Sequence, residues 1–384
     1  MSRAVADVAI IGGGLIGAWT AFFLARRGQR VVVFEKGAVG AQSSGTNFGN
    51  LRLQGRFPGQ YPLSLRSHGL WEEFDALIGE DCEFTQTGHL YCAFDAEEET
   101  KLEGYAQVSE SYGLAIERFG RAELRRRWPW LSATAVAATF SARDATANPR
   151  LVTPTVARAA QRLGVEIREN TRVSAVARQG DGFVVRTADG GELACGSLVN
   201  AAGAWAVEMA QCFGETAPVF AAGPPQFVTE PLPFLIAPSL QTIDGSVIAR
   251  QTERGNVILA GYPRTAADAI ANRAPVPPVK TLAAMRALAR VVPALGHGHV
   301  IRVWSGIEGY LPDMIPVIGP SPTAPGLFHA FGFCGHGFQI GPGVGLCLSE
   351  MIIDGATPTP LEPFSIGRFR SEAVVSDKFR KEFD

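Results

Sequence analysis

Val5-Ala6-Asp7-Val8-Ala9-Ile10-Ile11-Gly12-Gly13-Gly14-Leu15-Ile16-Gly17, followed at a helix's distance by Val31-Val32-Val33-Phe34-Glu35-Lys36, decides how this chain folds. Val5–Ile11 reads as a buried parallel strand, because β-branched and apolar residues run nearly unbroken up to a glycine cluster. The cluster matches G-x-G-x-x-G. Gly12 permits the tight turn, Gly14 lets the backbone approach a pyrophosphate, and Gly17 lets helix and strand pack closely. The helix spans about residues 15–27, ends on Arg26 and Arg27, and stops at Gly28, with its N-terminus toward the phosphates. Glu35 closes the second strand eighteen residues after Gly17. A carboxylate there accepts hydrogen bonds from a ribose diol and repels a 2′-phosphate. Strand, loop, helix, strand and acid in this order predict an adenine dinucleotide site, and the motif alone does not separate FAD from NAD.

The rest of the chain bounds the answer. Its 384 residues exceed what one core usually serves, so two interleaved or sequential domains are expected. With 46% apolar residues, 19% charged and 43 glycines, it reads as a compact α/β enzyme. A net charge of −2 supplies no global attraction for nucleic acid. Six cysteines without a C-x-x-C pair predict neither a metal site nor a disulfide framework and suit a reducing, cytoplasmic setting. His297-Gly298-His299 lacks further ligands nearby. Glycines interrupt the apolar run 8–24, which is therefore read as strand and helix and not as a membrane span; peripheral membrane association stays open. Arg125-Arg126-Arg127 reads as a solvated helix end before Trp128-Pro129-Trp130.

Residues 151–163 read as a helix capped by Thr153-Pro154, followed by short strands that return to the first sheet. Residues 197–205 form a strand running into a small-residue turn. Residues 83–142 and 216–309 carry aromatic strands and hairpin signals such as Asp244-Gly245 and Arg254-Gly255-Asn256. Near the C-terminus, Leu327–Phe331 reads as a strand, 332–345 as a glycine-rich loop and 344–353 as an apolar helix. Gly341, Gly343 and Gly345 are expected to let loop amides approach a flat, negatively charged ring.

Taken together, the N-terminal unit, Ser43-Ser44-Gly45, Pro62-Leu63-Ser64-Leu65-Arg66-Ser67, residues 199–205, Pro312-Asp313, Pro316-Val317-Ile318-Gly319 and Gly332-Phe333-Cys334-Gly335-His336-Gly337-Phe338 resemble a known family over essentially the whole chain. It is the FAD-dependent D-amino acid oxidase/glycine oxidase family. The resemblance is greatest to its sarcosine oxidase-like branch, which includes sarcosine, hydroxyproline and opine dehydrogenase subunits. It implies an α/β fold in which a Rossmann-type FAD-binding domain (residues 1–82, 143–215 and 310–384) is interleaved with a mixed-sheet α+β substrate domain (83–142 and 216–309). It implies oxidation of the C–N bond of an amino acid or secondary amine (a sarcosine or glycine derivative, D-amino acid, imino acid or opine). A hydride equivalent goes to flavin N5, leaving an imine that hydrolyses. Oxygen or an electron-accepting partner takes the electrons. The alternatives are a dehydrogenase subunit of a hetero-oligomeric electron-transfer complex and a 2-hydroxy acid oxidoreductase.

The same resemblance implies FAD contacts from Gly12, Gly14, Leu15, Ile16, Gly17, Glu35, Lys36, Ser43, Ser44, Gly45, Asn47, Val173, Ala202, Gly203, Trp205, Gly306, Gly335, His336, Gly337, Phe338 and Gln339. Arg52 is the expected grip for a substrate carboxylate, because a guanidinium offers two parallel hydrogen bonds. Arg56 is a substitute or entrance residue, and His336 a neutral hydrogen-bonding group. Gln339 stands where sarcosine oxidase carries a carboxylate-binding lysine, so the substrate is expected to differ from sarcosine. Gly306 replaces the flavin-linking cysteine, so FAD is expected to be non-covalent. Glu308 takes the place of a carboxylate-binding arginine and could face a second amine. Residues 255–262 lack an oxygen-facing lysine, so fast reaction with oxygen is not assured and a dehydrogenase role becomes realistic. Arg302 and Trp304 are candidate pocket residues.

Overall fold

The protein is described by a computed structural model covering residues 5–261, 263–370 and 374–383. Two large sheets carry it. The first runs, edge to edge, Val317–Pro320, Leu327–Phe331, Glu192–Asn200, Val5–Ile11, Val31–Phe34, Glu166–Arg168. All its pairings are parallel except the antiparallel Val317–Pro320 edge. Val173–Gln179 and Gly182–Thr187 extend it as an antiparallel hairpin on Glu192–Asn200. Both faces are covered: Val8, Ile10, Val31 and Val33 pack with Trp19 and Phe22, while Ala9, Val32 and Phe34 pack with Phe183 and Leu198. This two-sided burial is why these strands read as continuous apolar runs and not as alternating ones.

The second sheet is mixed, in the order Val300–Ser305, Pro225–Pro231, Asn256–Ala260, Ile248–Gln251, Ser239–Thr242, His89–Ala93, Ala137–Ser141, Glu117–Gly120. Only the Ser239–Thr242 and His89–Ala93 pair is parallel, and it joins two stretches of chain far apart in sequence. Helix Pro278–Val291 packs on it through Leu288 and Val291. A small sheet of Thr265–Ala266, Phe220–Gly223 and Glu308–Tyr310 adds a third layer of pairing.

Two helices differ from the sequence reading. The first is Pro149–Arg162: Asn148 Oδ1 accepts the Arg150 N–H at 3.1 Å and Pro149 takes the first turn, so Thr153 and Pro154 lie inside the helix and do not cap it. The second is Gly337–Asp354, which occupies most of the stretch read as a loop. Its glycines serve packing. A Cβ at Gly341 would fall 2.6 Å from Leu15 Cδ2, at Gly343 2.8 Å from Ser67 Cβ, and at Gly345 2.6 Å from Trp19 Cβ. Only hydrogen fits between this helix and its neighbours Leu15–Arg26 and Tyr61–Glu72. Pro342 and Ser67 interrupt its hydrogen-bond ladder. Ser67 Oγ donates to the Gln339 carbonyl at 2.7 Å and accepts the Gly343 N–H at 3.1 Å, and Trp71 Nε1 donates to the same carbonyl at 2.8 Å. Gly341, Gly343 and Gly345 therefore do not line a cofactor face.

Candidate active site

The glycine loop is held from three sides. Gly12 donates its N–H to the Phe34 carbonyl (2.8 Å), and Ala201 donates to Ile11 (2.9 Å), so the turn at 201–203 lies against Gly12. Gly12 has φ +111°, and a Cβ there would fall 2.7 Å from the Ala201 carbonyl carbon. Glu35 accepts the Gly13 N–H on Oε2 and the Gly37 N–H on Oε1, each at 2.8 Å. Thr171 donates to the Glu35 carbonyl at 2.8 Å, which brings the turn leading to Val173 alongside the acid. Lys36 lies 3.0 Å above the Trp205 ring, joining the loop to the 202–205 turn. Ser44 Oγ accepts the Leu15 N–H at 2.8 Å.

These residues fit FAD. The first turn of helix Leu15–Arg26 carries no acid, and Gly14 provides no side-chain cap. A Cβ at Gly14 would meet only Ser44 Oγ, at 3.0 Å, so its outer face is open to a ligand and not packed on the chain. The Leu15 amide holds a neutral hydroxyl, and a phosphate oxygen is the stronger acceptor for the same donor. Asn47 serves a local purpose: Nδ2 donates to the Ser43 and Ser44 carbonyls, and Oδ1 accepts the Gly49 N–H. Its side chain shapes the Ser43–Thr46 helix and the turn that follows it. Gly306 rests on that helix, where a Cβ would overlap Thr46 Oγ1 and lie 3.0 Å from Thr46 Cβ. Ser43 Oγ donates to the Ile307 carbonyl and Trp304 Nε1 to the Thr46 carbonyl, which clamps 304–307 on 43–46. Arg302 and Arg150 flank the Trp304 ring at 5.5 and 5.3 Å, so this trio forms an outer groove.

A second constellation gathers around residues 332–336. Gly332, Cys334 and Gly335 all have positive φ, folding a tight loop ahead of helix Gly337–Asp354. Glu308 braces it: Oε1 accepts the Gly335 N–H at 2.7 Å and Oε2 the Tyr310 hydroxyl at 3.0 Å. Both oxygens are engaged within the chain, so Glu308 does not present a free carboxylate to a second amine. Burial raises its carboxyl above the usual range, against the pull of Arg264. His336 Nε2 contacts Lys378 Nζ, while Nδ1 is shielded from solvent and has no partner among the described residues. Burial, then the positive field of Lys378, Arg56, Arg52 and Arg264, pushes His336 well below its ordinary range, so it is neutral at physiological pH.

Arg52 Nη1 donates to the Gln54 carbonyl and, at 3.1 Å, to the Gly55 carbonyl. Its guanidinium lies 5.8 Å from the Tyr91 ring centre. Arg56 is 7% exposed and donates through Nε and Nη2 to the Arg52 carbonyl, which makes it a buried brace for the Arg52 turn and not a solvated residue. Gln339 departs from its expected role. It is 1% exposed, and Nε2 donates at 2.9 Å to the Ser64 carbonyl, so its side chain is locked between two helices. Phe338 likewise packs inward, 5.3 Å from Trp71. Tyr262, the last residue of the 255–262 stretch that lacks a lysine, lies outside the described residues.

Lys378, Glu382 and Arg264 went unnoticed in the sequence. They meet through the C-terminal helix Asp377–Phe383, where Arg264 donates its N–H to the Glu382 carbonyl (2.9 Å) and Nε to Glu382 Oε2 (3.0 Å). Glu382 is fully buried. Phe379 and Phe383 pack on Phe220, with ring centres 5.5 and 4.9 Å away. A Lys-Phe and a Glu-Phe pair one helical turn apart was the sole local sign.

Known proteins resemble this chain in sequence and fold. Residues 7–351 match the family described as "DAO: FAD dependent oxidoreductase". Glycine oxidase of Geobacillus kaustophilus (strain HTA426) is 30% identical over 371 residues, covering 94% of this chain and 97% of the relative. Sarcosine oxidase subunit beta of Rhizobium meliloti (strain 1021) is 25% identical, with 97% and 90% covered. Among solved structures, L-proline dehydrogenase from P. horikoshii superposes with a TM-score of 0.88 at 26% identity, covering all of both chains. No helix among the described residues is long and apolar enough to cross a membrane. With a cradle that fits the dinucleotide and a match spanning nearly its full length, the chain belongs to the DAO family of FAD-dependent oxidoreductases and is an enzyme.

Proposed function

We propose that the enzyme oxidises the C–N bond of an amino acid or secondary amine that carries a carboxylate. The observation that supports this most is the cationic field on His336: Arg52, Arg56, Arg264 and Lys378 all act on it, with Glu382 tied to Arg264 and Glu308 tied to Gly335 and Tyr310. Such a site attracts an anionic substrate. It also favours the neutral amine over the ammonium, because a positive field penalises the charged form. Arg52 would hold the carboxylate and His336 Nδ1 would donate a hydrogen bond at the reacting end. Gly14, Leu15, Glu35 and the 201–205 turn would hold FAD by hydrogen bonds and packing, without a covalent bond at Gly306. FAD, when bound, supplies the hydride acceptor. The experiment is product analysis after incubation of the holoenzyme with sarcosine, glycine, cyclic imino acids, D-amino acids and opines. One of them is expected to give the deaminated carbonyl product together with ammonia or a primary amine. Turnover of 2-hydroxy acids alone would refute the reading.

A second reading, as one subunit of an electron-transfer complex, is favoured by the exposed apolar side chains Ile301 (62%) and Val303 (38%) on the edge strand Val300–Ser305. Rapid peroxide formation by the isolated chain would count against it.

A further inference from the structure

The C-terminal helix Asp377–Phe383 reaches the loop that carries His336, and its Lys378 Nζ contacts the imidazole Nε2. Its surroundings come from four parts of the chain. Arg52 lies in the 50s segment, Arg264 beyond the second sheet, Cys334 and His336 in the 332–336 loop, and Glu382 one turn along the same helix at 3.6 Å. Glu382 already holds Arg264 at 3.0 Å, and Glu308 is spent on Gly335 and Tyr310. Arg52 and Lys378 therefore both place positive charge on the same imidazole, while Glu382, the carboxylate 3.6 Å from Lys378, is shared with Arg264.

We propose that helix Asp377–Phe383 completes the substrate site and that Lys378, together with Arg52, holds the substrate's carboxylate. This rests on the reading of the substrate as an anionic amino compound. It assigns to a residue near the C-terminus the role for which Gln339 stands at the expected place and is unavailable. The ammonium also donates to His336 Nε2, which keeps the imidazole proton on Nδ1, the buried nitrogen that lacks a partner. Lys378 is thus both a carboxylate ligand and the group that sets the His336 tautomer.

Burial pulls Lys378 down to about 8, opposed by Glu382 and aided by Arg52 and Arg264. An anion that depends on its charge should bind less well as pH rises through that value.

The test uses holoenzyme and acetate, a carboxylate with no amine to oxidise, and reads the change in the visible flavin spectrum. Lys378→Met should weaken acetate about 10- to 100-fold, the loss expected for one charged hydrogen bond. FAD affinity, measured by fluorescence titration, should stay within about twofold. Lys378→Arg should recover most of the acetate affinity and hold it to higher pH than wild type. Wild-type affinity in Lys378→Met overturns the proposal, as does an equal loss in Lys378→Arg and Lys378→Met, which would mark a packing role. If acetate binding depends on Lys378 but no amino compound is oxidised, the site assignment stands and the amine reading falls.

Discussion

Gly17→Ala and Gly14→Ala, one turn apart in the same motif, should fail in different ways. A Cβ at Gly17 would overlap the Gly12 carbonyl oxygen, with the Gly12 carbonyl carbon at 3.2 Å and Ile10 Cγ2 at 3.3 Å. None of these can swing aside, because Gly12 is tied to Phe34 and the 201–202 turn lies against it. Helix Leu15–Arg26 must then lift off the strand by about 1 Å, and overpacking of this kind costs about 3 kcal/mol. Ten of its twelve residues are buried, so the lift is transmitted to Trp19, Phe22 and Phe23. Gly14 differs: its Cβ would meet a single hydroxyl, Ser44 Oγ, at 3.0 Å. Gly14→Ala should leave the apoprotein within about 1 kcal/mol of wild type yet weaken FAD by about 100-fold, since the methyl group stands where the backbone approaches the pyrophosphate. Denaturant unfolding of both apoproteins, paired with FAD titration, separates the cases. A Gly17→Ala apoprotein as stable as wild type, or a Gly14→Ala apoprotein as damaged as Gly17→Ala, would refute the division of labour.

Other outcomes follow from single sites. Arg52→Met should raise KM for the substrate about 100-fold with FAD affinity unchanged, measured by steady-state kinetics beside a titration. Acid precipitation of the holoenzyme should release all FAD into the supernatant, because Gly306 presses on Thr46 and leaves no room for a linking side chain; yellow pellet would contradict this. Burial raises Asp144 to about 6, against Ser141, Leu53, Arg52 and Arg56, so the folded state holds its proton more tightly than the unfolded chain. Stability from this group is present below the unfolded carboxyl range and is lost as pH rises through about 6, worth up to about 3 kcal/mol. The wild-type minus Asp144→Asn difference in unfolding free energy should show that fall between pH 4 and 7. Glu215 and His329 meet at 2.7 Å with both side chains almost fully buried. Glu215→Ala should cost about 2 kcal/mol in denaturant unfolding, because it strands the imidazole N–H.

What was legible in the sequence was local and periodic. The strands Val5–Ile11, Val31–Phe34 and Leu327–Phe331 lie where the apolar runs placed them, since a two-sided buried strand needs nothing beyond its own composition to announce itself. Helix Gly337–Asp354 was half hidden because glycine and proline argue for a loop, and only the close approach of Trp19 and Ser67 explains why they sit in a helix. Gln339 stood at a plausible place in the motif, yet a helix facing Ser64 turned it inward. Lys378 and Glu382 had no motif at all. Their meaning comes from Arg264 and His336, more than forty residues away in each case, and long-range pairing of that kind leaves no trace in spacing.

The central claim, that this FAD enzyme removes hydride from the carbon beside an amino nitrogen, is tested most directly by anaerobic mixing of the holoenzyme with a panel of glycine derivatives, imino acids, D-amino acids, opines and 2-hydroxy acids. At least one amino compound should bleach the visible flavin band within the mixing experiment, with the 2-hydroxy acids inert. Bleaching by a 2-hydroxy acid and by none of the amino compounds would contradict it.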